Sequence, residues 1–146
     1  LALTKRESEI LAGYVSSLLP AMNLAQWSVR IQVDPLEEDS GAVARIIPAF
    51  GQHRATLILC YGFTDMSLAD QRRYLVHELT HLHLQRVYRA FTAVQQVASP
   101  GEFAIMDTAI KEAIETATDD LASAWSESLP LISDPPKAHD QESGSC

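Results

Sequence analysis

The segment Tyr74–Leu84, YLVHELTHLHL, constrains this chain more than any other. Leu75, Leu79 and Leu82 recur at helical spacing, and Ser67 with Asp70 caps the stretch from its N-terminal side. A long helix over roughly residues 68–90 is the expectation. On such a helix His77 and His81 stand one turn apart and project from the same side, so both imidazoles can reach one ion. Glu78 lies ~100° further round, where its carboxylate can stand beside an ion instead of on it. His83 points elsewhere and reads as a supporting or surface histidine.

The flanks of this helix read as a sheet and two more helices. Residues 4–19 predict a helix with a Thr4/Glu7 capping box, ended by Pro20. Trp27, Val29, Ile31 and Val33 alternate with Ser28, Arg30 and Gln32, the pattern of a half-buried strand. After an acidic loop, PLEEDSG, a second strand is expected over Ala42–Phe50 and a third over Ala55–Tyr61. The third (ATLILCY) is apolar enough for burial on both faces. Residues 101–128 predict a helix whose apolar stripe is Phe103, Met106, Ile110, Ile114, Ala117, Leu121 and Trp125. The element order predicts an α+β fold: a small mixed or antiparallel sheet of three to four strands packed on the histidine-bearing helix, with N-terminal and C-terminal helices.

Imidazole pairs suit Zn2+, which takes three protein ligands and leaves a position for water. The third ligand lies outside the motif. A compact pattern with glycine at 84 and histidine at 87 is closed, because those positions hold Leu84 and Val87. The last helix offers KEAIETATDD. With Glu112 at zero and ~100° per residue, Glu115 falls at ~300° and Asp119 at ~340°, against an apolar stripe centred at ~170°. Glu115 is nearer the buried side and has Asp119 one turn on, placed to orient a ligand histidine through its other nitrogen. Glu112 is flanked by small Ala109 and Ala113, which allow another helix to approach. Both glutamates stay open, with the balance toward Glu115.

With these residues in view the chain resembles the zincin metallopeptidases, and among them the gluzincins, whose HExxH helix is completed by a glutamate on a later helix. The resemblance implies zinc on His77 and His81, Glu78 as general base, and hydrolysis of a peptide or protein substrate in endopeptidase fashion. Set against the thermolysin-type third-ligand segment, Glu112 matches the ligand, but Lys111 replaces an asparagine and Thr116 an aspartate. In the Glu-x-x-x-Asp form of other gluzincins the match is Glu115 with Asp119. The small size is similar to the minimal single-domain members of prokaryotes and phages. The resemblance also implies an edge strand that holds an extended peptide, for which Ala55–Tyr61 is the expected segment, and an oxyanion donor among Tyr88, His53 and Tyr61. The alternative is a zinc-stabilised or latent zincin-fold protein that works as a regulatory or interaction module.

Composition sets the outer limits. Acidic residues outnumber Lys and Arg by 19 to 11, which argues against a nucleic-acid or anionic-membrane surface. Nothing approaches the ~20 apolar residues of a membrane span. Cys60 and Cys146 are too few for a four-cysteine zinc site or a disulfide scaffold. With no secretory pattern in LALTKRESEI, a cytoplasmic location is expected. One domain is expected over residues 1–134, with a polar, flexible tail over 135–146; composition leaves the oligomeric state open.

Overall fold

The computed structural model describes residues 3–33, 43–49, 51–60 and 62–132. The expected PLEEDSG loop, Tyr61, Cys146 and the 135–146 tail lie outside them. Helix α1 spans Lys5–Ala21. Its capping box is formed: the Glu7 N–H donates to Thr4 Oγ1 at 3.2 Å and the Thr4 N–H to Glu7 Oε2 at 2.7 Å. Pro20 does not stop the helix but sits in its last turn, where its missing N–H costs the one bond to Ser16 O and only Ala21 follows. Asn23, at φ 57, then reverses the chain, with its N–H on Pro20 O and the Leu24 N–H on Leu19 O. That is the left-handed C-terminal cap, with asparagine in place of the usual glycine.

Strands β1 (Ser28–Val33), β2 (Ala44–Pro48) and β3 (Arg54–Leu59) form one mixed sheet in the order β1-β3-β2. β3 runs parallel to β1, with Ser28 opposite Arg54, and antiparallel to β2, with Ala44 opposite Leu59. The most apolar strand takes the centre, as its burial requires, so its main chain is paired on both sides. Among the described residues β1 and β2 are the outer strands, and it is β2 that walls the cleft beside α2. This corrects the expectation that Ala55–Tyr61 lines the cleft.

Helix α2 spans Leu68–Thr92 and is capped by Ser67, whose Oγ accepts the Asp70 N–H at 3.1 Å. Its inner face, Leu75, Val76, Leu79 and Leu82, meets α1 and the sheet in one core with Val15, Leu18, Leu57, Leu59 and Phe63. Helix α3 spans Pro100–Ser126, with Pro100 in its first turn and a Ser99/Glu102 capping box. It folds back along α2, and Phe91 stacks on Phe103 with ring centroids 5.4 Å apart where the hairpin turns. The chain then straps across the base: Tyr14 Oη donates to Pro130 O at 2.6 Å and Arg72 Nη1 to Leu129 O at 2.7 Å. The architecture is α+β, with N- and C-terminal helices flanking a three-stranded mixed sheet packed on the central histidine-bearing helix. No helix among the described residues is long and apolar enough to cross a membrane.

The face that α3 turns to α2 differs from its apolar stripe. Thr118, Ala122 and Ser126 are its buried residues, whereas Met106 and Leu121 are exposed. Round the helix from Glu112, those three buried residues lie at ~240°, ~280° and ~320°, a face that takes in Glu115 at ~300°. Small side chains let the two helices approach closely, and that closeness brings a charged residue to the interface.

Candidate metal centre

α2 and α3 run antiparallel, so each turn forward on one meets a turn backward on the other. His77 is met by Asp119, His81 by Glu115 and Tyr88 by Asp107. His77 Nε2 and His81 Nε2 stand 3.2 Å apart. His77 Nε2 is 3.6 Å from Glu115 Oε2, and His81 Nε2 is 3.6 Å from Glu115 Oε1. The three side chains therefore offer ligand atoms within 4.8 Å of one another. Glu112, a turn earlier on α3, is exposed and does not join this group.

The donor set fits zinc. Bonds of ~2.0–2.2 Å at tetrahedral angles place two ligand atoms about 3.3–3.6 Å apart. The separations of 3.2, 3.6 and 3.6 Å, the last two to different oxygens of Glu115, lie near that spacing. Tautomer supports it as well. His77 Nδ1 lies 3.0 Å from Asp119 Oδ1, and a carboxylate oxygen accepts, so Nδ1 is the donor nitrogen and Nε2 the one that faces the group. Burial holds the His81 imidazole below its usual pKa, against the pull of the Glu115 carboxylate and aided by His77. That keeps the ring neutral and its lone pair available. Two imidazoles and a carboxylate, with a fourth side open, give the chain a Zn2+-binding capability of gluzincin-like form.

Glu78 is held differently. It is 8% exposed, and the main-chain N–H of Ile46 on β2 lies on the side of its carboxylate and favours the charged form. Burial pushes its pKa up to about 8, with the nearby Glu115 carboxylate adding and the Ile46 N–H opposing. Sequence reasoning missed this contact, because a main-chain donor has no residue signature.

A cleft of about 640 Å³ opens beside the cluster, walled by Arg45, Ile46 and Pro48 of β2, by His77 to Tyr88 of α2, and by Lys111, Ile114 and Glu115 of α3. A smaller hollow of about 300 Å³ lies on the Ala44 side, bounded by Asp70, Arg73, Tyr74 and Asp119 and sharing His77 and Glu78 with the first. The site thus has space on both sides along β2. Of the expected oxyanion donors, Tyr88 lines the larger cleft, its hydroxyl 3.4 Å from Asp107 Oδ1. His53 packs edge-on against Trp27 at the β2–β3 turn and lines neither hollow. His83 donates from Nε2 to Met22 O at 2.8 Å and leans on Trp125, so it ties α2 to the end of α1 and to α3. Compared with family models, with curated proteins and with solved structures, the chain matches none.

Proposed function

We propose that this protein is a zinc-dependent peptidase that cleaves within an extended peptide or protein substrate. The observation that carries the reading is the convergence of His77, His81 and Glu115 beside Glu78, under the open edge of β2. His77, His81 and Glu115 would hold the metal, and Asp119 would fix the ring of His77. Bound zinc supplies Lewis acidity, polarising a carbonyl and bringing the pKa of water toward ~7. Glu78 takes a proton from the attacking water and returns it to the leaving amine, a general acid–base contribution of typically ~10²–10⁴-fold. Space on both sides of Glu78 along β2 suits a bond inside a chain better than one at its end.

The test combines metal content with turnover. Wild-type protein is expected to bind one zinc and cleave members of a peptide library. Glu78→Gln is expected to keep the zinc and lose at least ~10²-fold in kcat. Stoichiometric zinc with no cleavage of any peptide would favour a zinc-stabilised interaction module. Full activity in Glu78→Gln would remove the mechanism.

A further inference from the structure

In the antiparallel pair of β2 and β3, the Cys60 N–H donates to Val43 O and the Ala49 N–H to Arg54 O. Hydrogen-bonded and non-bonded pairs alternate along such a ladder, so residues 43, 45, 47 and 49 face β3 with their main-chain groups. Ala44, Ile46 and Pro48 turn theirs to the open edge, toward the cleft. Along that edge Pro48 has no N–H, and the Ile46 N–H is turned to the cleft that Ile46 and Glu78 wall together, where it favours the charged Glu78 carboxylate.

We propose that the Ile46 amide is the positioning group for Glu78. It fixes the carboxylate at the boundary between the two hollows, and it is thereby withdrawn from pairing with substrate. The function of this contact rests on the hydrolytic reading, but its existence does not. A glutamate on a helix has three rotatable bonds, and burial alone leaves its carboxylate several orientations. One main-chain donor from a strand paired along its whole length selects among them, and a main-chain donor cannot swing away as a side chain could. A consequence follows for the substrate. From Ile46 to Pro48 the edge offers an extended peptide only carbonyl oxygens, so on that side the peptide must supply its own N–H groups.

Amide hydrogen exchange of the zinc-loaded protein tests the contact without reference to turnover. The Ile46 N–H has no ladder partner, yet it is expected to exchange at least ~10-fold slower than an unprotected amide. Glu78→Ala should remove that protection while Arg45 and Ile47, bonded to β3, change little. A variant that loosens the whole sheet would accelerate all three together. An unprotected Ile46 in the wild type, or equal protection in Glu78→Ala, overturns the proposal. Ile46→Pro, set against Ile46→Val, reads the function. Proline deletes the donor at an edge position that the ladder does not use, as Pro48 already does two residues on. Ile46→Pro is expected to retain zinc and lose ~10-fold or more in kcat with KM little altered, whereas Ile46→Val stays near wild type. Equal kcat in the two variants overturns the positioning role. A protein that cleaves nothing but protects Ile46 through Glu78 would refute the hydrolytic reading and leave the contact standing.

Discussion

At the scale of single residues the site depends on groups that touch no ion. Asp119 is exposed, yet its carboxylate fixes both the ring and the tautomer of His77. Partners of this kind are typically worth ~10–100-fold in metal affinity. Asp119→Ala should therefore weaken zinc binding by about that factor, measured by chelator competition, with little change in helix content. Glu78 carries a second expectation, for protein stripped of metal with chelator. Its folded pKa of about 8 lies above the unfolded value near 4.5, so the protonated carboxyl is the form that folding favours. Its stabilising contribution is full below pH 4.5 and is lost as the pH rises through 8. The stripped wild type should lose on the order of a few kcal/mol relative to stripped Glu78→Gln between those limits, read from urea midpoints across pH. The shared side of His77 and His81 and the place of Asp119 were legible because helical spacing fixes which side chains share a side. The Ile46 amide was not, since its direction depends on strand register.

At the scale of elements, the three helices were legible from caps and periodicity, with one instructive failure. The apolar stripe of α3 predicts a contact face through Met106 and Leu121, but both are exposed, and Thr118, Ala122 and Ser126 meet α2. Apolar periodicity reports which side avoids water in a helix that packs through large side chains. Close packing of two helices needs small ones, and Ala122 at 1% exposure leaves no room for more. Ala122→Leu should cost about 1–3 kcal/mol by overpacking. It should weaken zinc binding too, because Glu115 moves away with its helix. Ala109→Leu, on an exposed part of the same helix, should stay within about 0.5 kcal/mol. Thermal melts with zinc titrations separate the two. The sheet carries the same lesson in milder form: the apolarity of ATLILCY signalled a strand covered on both faces, and such a strand takes the centre and leaves the outer places to β1 and β2.

At the scale of the whole molecule, the metal centre sits where the core ends. Among the described residues, none after Leu82 on α2 and none before Thr118 on α3 is buried. Along the outer half of the hairpin α2 meets α3 through the stacked Phe91 and Phe103 and the Tyr88–Asp107 contact, and at its inner limit through the cluster of His77, His81 and Glu115. An ion held by two residues of α2 and one of α3 ties the helices together at that boundary, and a ligand that binds only the folded state stabilises it. At a hundredfold excess over Kd the gain is about 2.7 kcal/mol, which for a chain of this size corresponds to roughly 10 °C in Tm. Chelation should lower Tm by about that amount, and the accompanying rise in amide exchange should concentrate in residues 83–117. Glu115→Ala should abolish most of the difference between zinc-loaded and chelated protein, while Glu112→Ala should leave it intact. If Glu112→Ala is instead the variant that loses it, the ligand register on α3 is one turn off, and Asp119 no longer stands where it can serve His77 in the same arrangement.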